Sequence, residues 1–254
     1  MKTLVIANQK GGVGKSTLAA HVAYAAAEQK KRVLMVDMDR QGSLSLTFTT
    51  QPEEVPSLKA SELFETKSSP RAPRAVGERL ALIAADPALA EVPRQSNDVV
   101  RHVAPALKHL AGDYDLCVID TPPGLSTVLV GALAAADMVV TPMPVGLYEL
   151  DGVAELFATI NSIKRKLNPS LRKAKILLMK TNSRSKVEAQ ALERLREQFG
   201  EAILKDSLPE RAAVRAAVMK REPIWHHPRG ETHEKAASEW QRATKTILKE
   251  VFNG

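Results

Sequence analysis

The chain has 254 residues and a formal net charge of +7, with 44% hydrophobic and 26% charged residues. That length suits one large α/β domain with a sizeable core, and that composition excludes global disorder. The single cysteine, Cys117, excludes an intramolecular disulfide and a Cys-based metal cluster within one chain, and its apolar neighbours make it a small buried residue.

Apolar runs of strand length fall at residues 4–7, 33–36, 80–84, 116–119, 138–140 and 176–179, with a further strand-like stretch over 202–208. Amphipathic stretches between and after them predict helices over 15–28, 98–111, 125–136, 151–167, 187–199, 212–221 and 234–251. Because the strands are continuously apolar rather than alternating, they are expected to be buried on both faces. The expected fold is therefore α/β, a single domain over 1–254 with a mostly parallel, twisted sheet flanked by helices. Residues 50–73 read as a surface excursion with one small helix near 58–64. No helix-turn-helix extension is expected before the first strand. With no run of about 18 apolar residues and no signal-peptide pattern, a cytoplasmic protein is expected.

The first strand leads into Gln9-Lys10-Gly11-Gly12-Val13-Gly14-Lys15-Ser16-Thr17 and then directly into the first helix. Strand, Gly-rich loop and helix in that order identify a phosphate-binding loop. Its glycines let backbone N–H groups curl around phosphates, Lys15 reaches the β- and γ-phosphates, and the Ser16 hydroxyl binds Mg²⁺. The general pattern asks for glycine at position 9, where this chain has Gln9. The second strand ends in Val36-Asp37-Met38-Asp39-Arg40-Gln41-Gly42, which places two carboxylates at the C-terminal edge of the sheet, where open α/β sheets bind ligands. Helix capping is the competing reading of these two residues. The strand over 116–119 closes on Asp120-Thr121-Pro122-Pro123-Gly124. An aspartate there holds Mg²⁺ through water, and the prolines and glycine suit a loop that changes with nucleotide state.

The run 10–17 resembles the deviant Walker A motif, K-G-G-x-G-K-[ST], of the ParA/MinD group of ATPases. Residues 37–42 resemble that group's D-x-D-P-Q-G, with Arg40 in place of the usual proline, and residues 120–123 match its D-x-P-P switch. The likeness runs from about residue 3 to 252, densest in the first 45 residues and faintest over 50–75. It implies ATP and Mg²⁺ as cofactors and slow, partner-stimulated hydrolysis to ADP and phosphate. It implies a homodimer formed on ATP binding, in which Lys10 reaches across to the partner's nucleotide, and a nucleotide site over Lys10, Gly11, Gly12, Val13, Gly14, Lys15, Ser16 and Thr17. By the same resemblance Asp39 orients the attacking water, Asp37 lies near the Mg²⁺ shell with Ser16 and Asp120, and Asn182 and Pro209 meet the adenine. The last two also suit simple turns.

Within that group, one cysteine argues against the iron–sulfur and zinc-binding branches. The GTPase branch is disfavoured because no Asn/Thr-Lys-x-Asp motif follows the strand over 176–179. Residues 247–252 read as the core-facing end of the last helix, so no stable membrane anchor is expected. Charge points elsewhere: residues 1–160 hold 15 Lys/Arg against 18 Asp/Glu, whereas residues 161–254 hold 21 against 11. Solvated helix faces are the commoner source of mild basicity, but the asymmetry also suits a polyanion. The resemblance implies nonspecific DNA, with Arg184, Lys186, Arg211, Arg215, Lys220 and Arg221 as candidate phosphate contacts; Arg211 and Arg215 are four apart and expected on one helix face. It further implies a ParB-like centromere-binding partner, a nucleoid-associated location and a role in plasmid or chromosome partitioning. The alternative is a MinD-like positioning ATPase acting on a membrane or a protein assembly.

Overall fold

The computed structural model describes residues 1–51, 53–67, 69–145, 149–181 and 186–253, with the backbone alone for 149–151 and 186–189. Eight strands form one sheet: β1 (Lys2–Ile6), β2 (Val33–Asp37), β3 (Arg74–Gly77), β4 (Leu80–Ile83), β5 (Leu116–Asp120), β6 (Met138–Pro144), β7 (Lys173–Thr181) and β8 (Ile203–Pro209). Their spatial order is β3-β4-β2-β5-β1-β6-β7-β8. Every pairing is parallel except β3 with β4. The expected strands are all present. The sequence reading missed β3, an edge strand of half-exposed Arg-Ala-Val-Gly with no apolar run to reveal it.

Alternation along each buried strand divides the core into two layers. Leu4 and Ile6 of β1 face one layer with Met35, Leu116 and Val118, whereas Val5 and Ala7 face the other with Leu34, Val36, Cys117 and Ile119. Helices α1 (Lys15–Glu28) and α8 (Glu231–Asn253) cover the first layer. Helices α3 (Val103–His109), α4 (Thr127–Ala134) and α5 (Glu149–Lys166) cover the second. Ile247, Leu248 and Val251 at the end of α8 are core residues. Cys117 is fully buried, and burial pushes its thiol well above the usual range.

Two short helices flank the site described below, α2 (Ser43–Phe48) and α7 (Ala212–Lys220), and α6 (Lys186–Phe199) lies between β7 and β8 in the chain. The single helix expected over 98–111 is instead a 3₁₀ segment, Asn97–Arg101, followed by α3. Pro105 accounts for the break. It lacks an N–H, and its ring clashes with the carbonyl four residues back, at Arg101, so it is tolerated only in the first turn of a new helix. The small helix expected near 58–64 is a 3₁₀ turn, Ala60–Phe64. It docks so closely on α4 that a Cβ at Gly131 would stand 2.6 Å from the Phe64 ring.

Candidate nucleotide site

β1 lies at the centre of the sheet between β5 and β6, and the chain leaves its C-terminal end through the Gly-rich loop. Open α/β sheets bind ligands at such a switch in strand order. The loop is held from below by Asn8, a buried side chain whose Nδ2 donates to the Pro142 carbonyl at 2.8 Å and whose Oδ1 accepts from the Lys10 N–H at 2.9 Å. Thr121 ties the next strand to the same base by donating to the Ile6 carbonyl at 2.9 Å. The Gly124 N–H reaches the Gln9 carbonyl at 2.8 Å, which couples the Asp120–Gly124 turn to the loop. Gly14 initiates α1 at φ 99°, a left-handed conformation, and a Cβ there would also meet the Met179 side chain at 3.0 Å. The backbone conformation requires glycine; the Met179 methyl ends a flexible side chain that could shift.

The predicted phosphate residues converge. Gly11, Gly12, Gly14, Lys15, Ser16 and Thr17 line one cavity of about 480 Å³ together with Asp39 and Pro123. The Val13 side chain is buried beneath the loop, so only its backbone is available to a ligand. Lys15 is largely buried and donates to the Lys10 carbonyl at 3.2 Å. Burial lowers its ammonium from the usual lysine value, against the opposing pull of Asp120 and Asp39. Lys10 itself is exposed on the rim.

The carboxylates at the ends of β2 and β5 differ in what surrounds them. Asp37 accepts from the Ser45 N–H at 2.7 Å, the Ser45 hydroxyl at 2.8 Å and the Asp39 N–H at 3.1 Å. Burial raises its carboxyl to about 6 even so, with those hydrogen bonds opposing the rise. Asp120 is fully buried, and neither of its oxygens has a hydrogen-bond partner. Burial raises it further, to about 8; Asp37 adds to the rise, while nearby Ser16 and Lys15 oppose it. An orphaned buried carboxylate beside a serine hydroxyl fits a hard cation, which supplies the missing positive charge. Among the described residues no three His, Cys, Asp or Glu side chains converge to hold a metal unaided, so the fit is to an ion shared between Ser16, Asp120 and phosphate oxygens. Asp37 contributes charge at the edge of this group while its oxygens anchor α2. Asp39 is partly exposed at the cavity wall, and its Oδ1 accepts from the Gln41 N–H at 3.0 Å.

A second hollow of about 230 Å³ opens on the other side of the loop, lined by Gly12, Gly14 and Thr17, by Lys180 from β7, and by Pro209, Arg211 and Trp240. Pro209 is therefore beside the loop. Asn182 and Arg184 lie outside the described residues, as does the Lys186 side chain. Three positioning residues around the loop were missed, one of them, His21, lining the first cavity. Lys180 has left-handed backbone at φ 54° and donates to the Gly12 carbonyl at 2.7 Å. His21 is buried, bonded through Nδ1 to the Thr17 carbonyl at 2.7 Å and through Nε2 to the Ile224 N–H at 3.2 Å. Those partners fix the tautomer with the proton on Nδ1. Glu239 of α8 binds Arg211 side-on, accepting from Nε at 2.7 Å and Nη2 at 2.6 Å. No local pattern announces any of the three, because Lys180 to Gly12, His21 to Ile224 and Glu239 to Arg211 each join residues distant in the chain.

That last pair changes the expected face of α7. Arg215 is 77% exposed with only a loose contact to Glu210 at 3.8 Å, whereas Arg211 is 17% exposed and its guanidinium is occupied by Glu239. Arg211 precedes the first turn of α7 and turns toward α8, so the two arginines do not present a common surface. Lys220 and Arg221 are exposed, with Arg221 reaching the Thr49 carbonyl at 3.5 Å. Among the described residues no helix is long and apolar enough to cross a membrane.

A family model described as an AAA domain matches residues 1–173. The chain is 34% identical to the protein IncC of Escherichia coli over 234 residues, which cover 89% of this chain and 63% of IncC; it thus spans less than two thirds of that relative's length. It is 32% identical to the chromosome partitioning protein ParA of Myxococcus xanthus over 223 residues, covering 82% of this chain and 75% of the relative. Among solved structures, cobyrinic acid a,c-diamide synthase of Mycobacterium smegmatis with bound ADP and magnesium superposes with a TM-score of 0.80 at 25% identity, over 98% of this chain and 95% of that one.

Proposed function

Because the chain belongs to the ParA family of P-loop partition ATPases, we propose that it hydrolyses ATP with Mg²⁺ and uses the ATP-bound state to dimerise and to bind DNA. The observation that carries this reading is the orphaned Asp120 carboxylate, buried beside Ser16 and Lys15 at the mouth of the phosphate loop. Mg²⁺, when bound, neutralises charge on the β- and γ-phosphates. The chain's residues do the rest. Loop N–H groups and the α1 N-terminus cradle the phosphates, Lys15 adds a cation with little reorganisation because it is already desolvated, and Asp39 orients the attacking water. Lys10, which is exposed, serves a neighbouring subunit's nucleotide in the ATP dimer. Pro209 lies against the base. Arg215, Lys220 and Arg221, with Arg184 and Lys186, supply sequence-independent phosphate contacts to DNA, and a ParB-like protein stimulates hydrolysis.

The test separates binding from chemistry. Lys15→Ala is expected to lose ATP binding in calorimetry, by about 100-fold or more, since the principal phosphate cation is gone. Asp39→Ala is expected to bind ATP and dimerise in light scattering but not to turn it over. Normal turnover by Asp39→Ala would remove that residue from the mechanism, and unchanged ATP affinity of Lys15→Ala would overturn the site itself.

A further inference from the structure

Helix α8 lies far from the phosphate loop in the chain, yet two adjacent residues of it grip the walls of the hollow beside that loop. Glu239 is only 8% exposed and holds Arg211 through two short, parallel hydrogen bonds of 2.7 and 2.6 Å. Arg211 follows Pro209 by two residues, at the point where β8 gives way to α7. Trp240, 2% exposed, packs on His21 with ring centroids 4.4 Å apart, and His21 is bonded to the carbonyl of Thr17 in the loop. One helix thus fixes the β8–α7 corner through an ion pair and the first turn of α1 through an aromatic contact.

We infer that Arg211 and Glu239 are a positioning pair that sets the β8–α7 corner at the distance from the phosphate loop that a nucleobase requires, and so confer selectivity for ATP over its base-free phosphate chain. The inference rests on the proposal that Pro209 lies against the base. A side-on bidentate pair fixes orientation as well as distance, which a lysine or a single hydrogen bond does not. Its desolvation cost makes it a poor choice for stability alone, since apolar replacements of buried pairs are often neutral or stabilising. The pair joins residues 28 apart in the chain, whereas the corner itself holds Arg211 by its backbone, through the Val214 N–H to Arg211 carbonyl bond at 3.1 Å. Paired to Glu239, the guanidinium is also withdrawn from any role as a free DNA contact.

The experiment compares binding of ATP and of inorganic tripolyphosphate, each with Mg²⁺, to the full chain. In Arg211→Ala, ATP affinity is expected to fall roughly tenfold or more while tripolyphosphate affinity holds within about twofold. The double variant Arg211→Met with Glu239→Leu keeps the fold without the pair, and the same selective loss is expected of it. Unchanged ATP affinity in both variants would overturn the inference. Parallel loss of ATP and tripolyphosphate in both would also overturn it, because the pair would then be a general scaffold. A wild-type protein that binds tripolyphosphate as tightly as ATP would fail earlier, at the base-site proposal.

Discussion

The two sides of the phosphate loop are built on opposite principles. On the side of β5 and the start of α1, two charged groups are buried and left short of partners: Asp120 has no hydrogen bond, and Lys15 has one backbone carbonyl at 3.2 Å. On the side of β7, β8 and α8, three polar groups are satisfied from within: Arg211 by Glu239, His21 by Thr17 and Ile224, and Lys180 by Gly12. An unpartnered buried charge costs stability and persists only where a ligand completes it. A saturated one fixes geometry. The first side is therefore where chemistry is completed, and the second is where the walls are set.

The comparison is most exposed at Asp120 and Asp37, which share a position at the end of a buried strand but not a role. Asp120→Asn is expected to cut Mg²⁺-dependent ATP turnover by about 100-fold or more without lowering the midpoint of chemical denaturation, because a neutral amide relieves a buried, unpaired carboxylate. Asp37→Ala is expected to lower folding stability by about 2–3 kcal/mol, since the Ser45 N–H loses its acceptor and α2 its anchor. Reversed results, with Asp120→Asn destabilised and Asp37→Ala stable but unable to use Mg²⁺, would exchange the two roles.

On the saturated side, acid should act through His21. Burial lowers its folded value to about 4 from an ordinary 6.5. Between those values the unfolded chain binds a proton that the folded one refuses, so the contribution of the neutral imidazole is complete above 6.5 and lost progressively as pH falls to about 4. Urea titrations of wild type and His21→Gln across that window should converge as pH falls. Parallel curves would mean that His21 is not the group refusing the proton.

The smallest effect is expected at Lys180. Lys180→Met removes one exposed charge-assisted bond to the Gly12 carbonyl and should weaken ATP binding by about two- to fivefold. A loss as large as that of Lys15→Ala would move Lys180 from the wall to the phosphates themselves.

The phosphate side was legible because its logic is local. Glycines, lysine and serine occupy consecutive positions, and their roles follow from backbone geometry at one strand–helix junction; helix 15–28 was read at the residues where α1 begins and ends. The burial of strands 33–36 and 116–119, and hence the placement of Asp37 and Asp120 at the sheet edge, followed from apolar runs alone. Which of the two carboxylates is left unpaired did not. That was decided when α2, invisible as a pattern because Ser43–Phe48 is too short to show a period, brought Ser45 onto Asp37. The same holds for Arg211. Spacing of four placed it with Arg215 on one helix face, but a capping position is not yet helical, and the packing of α8 supplied the carboxylate that turned it inward. Sequence thus determined the fold class and the chemistry of contiguous motifs, because periodicity and loop geometry are set within a few residues. Tertiary structure alone decided which buried polar groups are satisfied, because their partners arrive from elements up to about 200 residues away, as His21 and Ile224 do.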